Sequence, residues 1–537
     1  MRTCLAFFVL GCCLTAEAHI GSPNVFLEDK AGEYSVRVVI RPPQVVPGLA
    51  EITVRVRETV QRVTVLPVFW RAGREGAPPA DEARLVRGET NLYSAELWLM
   101  KPGAYSVDVT IEGARGKGTL VVPVNSMATN TRPMSRAYGA MLSALAAVLF
   151  LGGLRIAGAI FGESRLDPGT RPTTKDRWRG RAAMVLTAVV LSLLIFGGKK
   201  WWDFEDRNYR NNALYKPLAV SAQVRAEHDQ PILTIKVDAS QRRGRWTPLI
   251  PDHGKLMHLF LVRDGEPGAF AHLHPAQRSG VEFEVPLPPL PAGPYHVYAD
   301  VTHEDGFSET LVATTEVPPA SLAMKRLWLG NSAEAICSAT VAQILATNLF
   351  FPPDPDDSWR MDSGATASSQ RKHSSTDAAP PVADAGGGYK IIWENPEPIV
   401  RNLDASLRFK LLMPDSQPAQ VEPYMGMIGH AIVRRQDGAV FAHVHPVGTF
   451  SMAAQQFLVE GKPPKHSTPQ SQPGLLEQSS LAPELHANHT NRVGVAGEIS
   501  FPYAFPEPGS YRFWIQMKSQ GRILTGVFDT TVAAATK

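Results

Sequence analysis

The 537 residues are too many for one hydrophobic core and predict three or four domains. A formal net charge of +3 excludes the strongly basic face that nucleic acid would require, and no nucleotide-binding loop or nucleophile elbow stands out. Four cysteines, Cys4, Cys12, Cys13 and Cys337, three of them at the extreme amino terminus, exclude a disulfide-built fold, while 43 Gly and 44 Pro suit short strands joined by turns.

The chain opens like a secretory signal. Arg2 precedes the apolar run Leu5 to Leu14, and Ala16-Glu17-Ala18 supplies a small-residue cleavage site, so residues 1–18 read as a signal peptide. Cleavage there leaves His19 at the new terminus and Cys337 as the sole thiol; cleavage before Cys12, in Leu10-Gly11-Cys12, is the lipoprotein alternative. Residues 19–127 then alternate with period two in 35–40, 51–56 and 105–111, punctuated by Pro42-Pro43 and Pro47-Gly48, which predicts a small antiparallel sandwich.

Two apolar segments follow, 137–161 and 182–198, each holding a 17-residue uncharged run near the length needed to cross a bilayer. Buried core helices are the alternative. The loop 162–181 carries Arg165, Arg171, Lys175, Arg177, Arg179 and Arg181 against Glu163, Asp167 and Asp176, which predicts a cytoplasmic loop between two transmembrane helices. With the secretory signal, this places the regions before and after the pair outside the cytoplasm, and membrane lipid becomes one expected partner. Trp201-Trp202 suits an interfacial belt.

Residues 217–318 and 388–533 read as two further β-domains. The segment 320–387 between them reads as a helix, 333–351, and a flexible linker rich in Pro, Asp, Ser, Ala and Gly. The two domains are copies. Leu256-Met-His-Leu-Phe-Leu-Val-Arg-Asp-Gly265 with Phe270-Ala-His-Leu-His-Pro275 matches Ile428-Gly-His-Ala-Ile-Val-Arg-Arg-Gln-Asp-Gly438 with Phe441-Ala-His-Val-His-Pro446. A downstream Pro-Gly-x-Tyr-type turn and strand recurs three times, at Pro102 to Val107, Ala292 to Val297 and Pro508 to Phe513, and reads as structural.

Alternation along a strand sends His272 and His274 to one face, and likewise His443 and His445. A hairpin turn returns His258 to the first pair and His430 to the second, so three imidazoles converge in each copy. Imidazole suits copper, zinc and nickel. Met257, Met425 and Met427 lie close in sequence and tilt the choice toward copper, with zinc as the alternative. Asp300 and His303 are candidate extra ligands of the first site; Gln516 and Ser519 stand in the second copy's corresponding strand and predict a poorer site there. Hydrogen-bonded sheet histidines and core methionines are the alternative reading. His466, His486 and His489, in a Pro/Ser/Gln-rich insertion, are candidates for a metal-collecting loop. His19 lacks a second histidine within its own domain, which argues against a histidine brace confined there.

Residues 19–127, with His19, Pro47-Gly48 and the Pro-Gly-x-Tyr strand, resemble the YtkA-like and CopC-like immunoglobulin-type sandwiches of bacterial envelopes, and the HxHP copies resemble heavy-metal-handling relatives. The resemblance implies a copper-related, non-catalytic role. The expectation is therefore a mainly β chain: three antiparallel immunoglobulin-like or cupredoxin-like sandwiches plus two transmembrane helices. It is anchored in a bacterial cytoplasmic membrane as a multi-pass protein with both terminal domains extracytoplasmic. It binds copper or zinc for delivery, buffering or resistance, with a metal transporter or metalloprotein client as partner. A membrane-anchored adhesion or scaffold ectodomain is the alternative. An enzyme fits less well: Cys337 has no histidines around it for a multicopper oxidase, and His272-Leu-His-Pro-Ala-Gln277 lacks the Asp-His of an HxHxDH hydrolase.

Overall fold

The computed structural model describes residues 19–20, 24–167, 169–227, 230–241, 246–320, 352–361, 367–368, 380–394, 396, 398–460 and 497–535. The signal peptide with its Cys12 alternative, the 333–351 helix with Cys337, and the insertion histidines His466, His486 and His489 lie outside the described residues.

The chain is mainly β and divides into two units, residues 1–43, 47–126 and 217–537 in one, 44–46 and 127–216 in the other. The second unit holds two helices, Arg136–Glu163 and Thr174–Asn208. Each contains an apolar stretch long enough to cross a membrane, with mean hydropathy of 2.1 and 2.0 and none of it buried against protein. Ser135 caps the first helix, and Thr173 with Asp176 forms a reciprocal capping box on the second. That box begins the second helix well before Ala182, so the expected basic loop shrinks and Lys175 to Arg181 become helical. The helices meet at glycines. A methyl group on Gly180 would lie 2.9 Å from the Gly158 carbonyl oxygen, and Gly162 packs beside it. Gly158 and Gly162 form the small-xxx-small spacing that lets helix backbones approach closely.

The first unit contains three two-sheet sandwiches. In the amino-terminal one, the strand Gly48–Val56 buries Ala50, Ile52, Val54 and Val56 while their neighbours face outward. They meet Val107, Val109, Ile111 and Val122 of the opposite sheet, as period-two alternation requires. The Pro-Gly-x-Tyr-type feature has the same structure in all three sandwiches. Gly103, Gly293 and Gly509 take φ of 131°, 128° and 139°, values other residues rarely adopt. The tyrosine that follows bonds the backbone four residues upstream: Tyr105 Oη accepts from Lys101 N–H, and Tyr295 and Tyr511 donate to the carbonyls of Pro291 and Glu507. Each tyrosine thus ties its strand to the turn before it.

In the first histidine-bearing copy, the hairpin His258–Arg263 and Ala269–Leu273 pairs Phe260 with His272 and sits beside Gly293–Thr302. In the second, His430–Arg435 and Val440–Val444 pair Ile432 with His443, beside Gly509–Ser519. The segment expected to be a flexible linker is in part structural. Ser358–Met361 extends the first copy's sheet by pairing with Ala269–Leu273, and Val382–Gly386 begins the second copy. His19–Ile20 forms a parallel pair with Val440 and Phe441, so the expected new terminus lies on the second copy's sheet rather than isolated within its own domain.

The hairpin strands are buried on both faces. Leu259, Leu261, Ala271 and Leu273 fill the first copy's own core. The alternate residues Phe260, Val262, Phe270 and Tyr298 pack on Ile432, Phe441, Trp514 and Val527 of the other copy. Tyr298 stacks on Phe441 at 4.0 Å between ring centroids, and Trp514 stacks on Phe270 at 5.0 Å. The two stacks are exchange-related: each copy's third strand covers the other copy's second. Beyond area burial, each aromatic pair contributes about 0.5–1.5 kcal/mol. At one end of this interface Arg434 donates to Tyr298 Oη at 3.0 Å and forks onto Asp264 at 2.9 and 3.0 Å. The histidines line the other end.

The amino-terminal sandwich closes the second copy. Glu28 N–H donates to the Val447 carbonyl at 2.8 Å, and Met427, Val447, Phe450 and Met452 join the sandwich core. Gly448 is required here: a Cβ would lie 1.8 Å from the Phe26 carbonyl oxygen.

Candidate metal centre

The expected hairpins form and bring together two triads, His258/His272/His274 and His430/His443/His445, each with one ligand atom per residue within 4.8 Å of the others. They are not surface patches. His258, His272, His274, His430 and His445 are buried side chains at the inter-copy interface, and His443 is nearly so.

The hydrogen bonds around the first triad fix its tautomers. His258 Nε2 lies 3.1 Å from the Asp252 carbonyl, which only accepts, so Nε2 carries the proton and Nδ1 is a lone pair. Gln516 donates its amide to Ser358 Oγ and turns Oε1 toward His272 Nδ1 at 2.9 Å, so His272 Nδ1 carries the proton and Nε2 is a lone pair. Those two lone-pair nitrogens, His258 Nδ1 and His272 Nε2, face each other at 3.2 Å. His274 completes the set: its Nδ1 meets Asp357 Oδ1 at 2.9 Å and its Nε2 is buried with no hydrogen bond.

The second triad repeats the arrangement in part. His430 Nε2 donates to the Tyr424 carbonyl at 3.1 Å, and His430 Nδ1 faces His443 Nε2 at 3.0 Å. His443 Nδ1 lies 3.5 Å from Asp300 Oδ2. His445 is buried, and its ring nitrogens lack a well-formed hydrogen bond. Burial above all holds the imidazoles of both triads below the ordinary histidine value, and neighbouring cationic forms add to the effect. His445 is pushed down to about 3, by burial and then by His253. Burial thus disfavours the charged form of every ring in the two triads. One ring nitrogen held by a carbonyl, amide or carboxylate and the other aimed at a shared point is the pattern of metal-ligating histidine.

Several sequence expectations change. Asp300 is not an extra ligand of the first site. It pairs across from His258 in the sheet, yet its carboxylate points to His443 of the second copy. Gln516, which suggested a poorer second site, holds His272 of the first. Each copy thus supplies the outer partner of the other's triad. Burial pushes Asp300 up to about 7. His303 stands apart, bonded to the Thr247 carbonyl and to Glu309 Oε1, each at 3.1 Å. Met257 packs in the first copy's core and Met427 in the amino-terminal sandwich core, where both fill space. Met425 occupies a left-handed turn position with φ of 49°.

Sequence reasoning missed four residues, among them Tyr424, whose carbonyl holds His430 as that of Asp252 holds His258. Asp357 lay within the presumed linker. Asp252 contributes only a carbonyl, which leaves no sequence signature. His253, 1% exposed, lies with its ring centroid 4.8 Å from His445. Its signal was available, because the turns Asp252-His253-Gly254-Lys255 and Tyr424-Met425-Gly426-Met427 occupy the same place before each first histidine.

Both copies are similar to a domain family of unknown function, DUF8832, whose model matches residues 218–319 and 383–534. No curated protein matches the chain. Among solved structures, similarity is distant. Dimeric latent PorU from Porphyromonas gingivalis aligns with 96% of this chain at 8% identity and a TM-score of 0.13, and the chain spans only 34% of it. Fibronectin(III)-like modules of CbhA from Clostridium thermocellum align with 53% of this chain and 96% of their own length at 11% identity and a TM-score of 0.20. A membrane-anchored protein from Corynebacterium diphtheriae, described as putative, covers 95% of this chain and 96% of its own at 9% identity and a TM-score of 0.13. Likeness at this level carries no statement about function.

Proposed function

We propose that this protein is a membrane-anchored, extracytoplasmic metal-binding protein that holds transition metal, copper before zinc, in two buried tri-histidine sites for delivery, buffering or resistance. The observation that carries the reading is the convergence of three buried imidazoles in each copy, with the lone pairs of His258 and His272 facing each other at 3.2 Å and His430 Nδ1 lying 3.0 Å from His443 Nε2. The preference for copper rests on the all-imidazole donor set, for which divalent copper outranks zinc in affinity. The methionines no longer contribute to that argument, since Met257 and Met427 pack as core. Anchoring rests on the two helices whose apolar residues stay exposed along their length. An extracytoplasmic placement of the β-domains rests on the basic residues between and at the start of the second of those helices, Arg165, Arg171, Lys175, Arg177, Arg179 and Arg181. A transporter or metalloprotein client is the partner such a role requires.

The test is a titration of the full chain in detergent with Cu(I), Cu(II) and Zn(II), wild type against His272→Ala/His274→Ala. Stoichiometric binding that falls in the variant is expected, and equal weak binding by both proteins sinks the metal reading. For topology, a reporter inserted after Lys175 is expected to read cytoplasmic; extracytoplasmic activity refutes the orientation.

A further inference from the structure

The two triads are not separated by any wall of apolar side chains. Ring centroids of His258 and His443, from different triads, are 5.5 Å apart, and those of His272 and His443 are 5.8 Å apart. Within the triads, His258 and His272 are 5.5 Å apart and His430 and His443 5.2 Å. The closest rings within a triad are 4.5 and 4.7 Å apart, so the shortest distance across the triads, 5.5 Å, is little longer than the shortest within them.

His253 sits at this junction. Its ring is 4.8 Å from that of His445, 5.7 Å from that of His430 and 6.1 Å from that of His258, and it meets all three edge-on. It belongs to the first copy but lies nearest the second copy's triad, the same exchange seen for Asp300 and Gln516. The turn explains how it gets there. His253 has φ of 52°, Gly254 follows at 81°, and Lys255 N–H returns to the Asp252 carbonyl at 2.9 Å. Met425 and Gly426 repeat that turn with φ of 49° and 77°. A left-handed histidine is an unfavourable choice that asparagine or glycine would relieve. Carboxyl groups border the junction: Asp357 on His274, Asp300 by His443, and Asp252 with Oδ1 3.8 Å from His253 Nε2.

Building on the metal reading, we infer that the two triads form one dinuclear centre in which His253 of the first copy is the fourth ligand of the second site. The pair is unequal. Four imidazoles surround the second ion, and the counterpart of His253 in the other copy is Met425.

The experiment loads the full chain in detergent with excess copper, removes unbound metal and oxidises the sample with ferricyanide so that all copper is Cu(II). Metal per chain is counted by mass spectrometry, and the Cu(II) spins are read by electron paramagnetic resonance. Two ions per chain, a dipolar-broadened spectrum and a half-field line are expected. In His253→Asn, which suits the left-handed backbone, the second ion is expected to bind at least about 10-fold more weakly. The half-field line goes with it, leaving one isolated spin. If that variant does not fold, His253→Met, the residue the other copy carries at this position, is read in the same way. Two ions with unbroadened isolated spins, a single ion in the wild type, or a variant that keeps both ions and the half-field line overturns the inference and leaves the metal reading standing. No bound ion overturns both.

Discussion

Replacing His445 with leucine is expected to stabilise the metal-free protein, the reverse of what core substitutions ordinarily do. His445 is 3% exposed, and its buried ring nitrogens lack a well-formed hydrogen bond, with only the Phe450 backbone beside them. A buried polar group left unsatisfied costs about 1–3 kcal/mol, and an apolar side chain of similar size removes that cost. The gain grows in acid. The folded-state pKa of His445 is about 3, below the unfolded value, so as pH falls through about 6.5 the unfolded chain takes up a proton that the folded chain refuses. Wild-type stability therefore declines from about pH 6.5 down toward the folded value. At about pH 5.5 this single group accounts for about 1.4 kcal/mol more of the difference from the leucine variant. The assay is thermal unfolding of the full chain, chelated and copper-loaded, at about pH 7.5 and 5.5, where each 1 kcal/mol moves the midpoint by about 2–4 °C. The variant is expected to unfold later than wild type when metal-free, by a wider margin in acid, and to gain less from copper. A metal-free variant less stable than wild type at both pH values refutes the argument that the site stores unsatisfied polarity.

Three further outcomes are expected. Asp357→Asn removes one acceptor oxygen from the carboxylate that holds His274 and two backbone N–H groups; copper affinity of the first site, measured by competition with a chelator, falls about 10- to 100-fold. Trp514→Ala strips the ring stacked on Phe270 across the copies, lowers stability by about 3–5 kcal/mol in denaturant and weakens copper binding at both triads. Gly180→Leu forces the helices apart at the Gly158 carbonyl; cross-linking by a short bifunctional thiol reagent between cysteines placed at Gly153 and Leu191, where a Cβ on residue 153 would lie 3.5 Å from Leu191 Cδ1, is expected to fall with leucine at position 180.

The triads were legible because strand periodicity is short-ranged: once His272 and His274 lie on a strand, their shared face follows, and a short turn returns His258 to them. The face they point to was not legible from that rule. Its clue was in the runs Leu259-Phe-Leu-Val262 and Val440-Phe-Ala442, too continuously apolar for a half-exposed sheet and typical of strands buried on both sides. Asp300 shows why its role was misassigned. Its sheet partner is His258, so register alone gives it to the first site, but its partner in space belongs to a sheet that the register does not mention. His253 escaped because comparing the copies rewards identity, and this position differs between them. Asp357 escaped because a proline- and serine-rich composition conceals a strand of only four residues, Ser358–Met361, beside it.

The exchange of outer partners, Gln516 to His272 and Asp300 to His443, has a consequence for how such a centre can be tuned. A single copy could build the full arrangement only by pairing with itself, and a two-fold axis would then force both sites to share every residue. Joining the copies in one chain lifts that constraint. An amide can serve one histidine while a carboxylate serves the other, and a histidine can stand in one turn where a methionine stands in its twin. Duplication here supplies the freedom to make two adjacent sites differ, so that one can hold its ion more firmly than its neighbour and give the pair a direction.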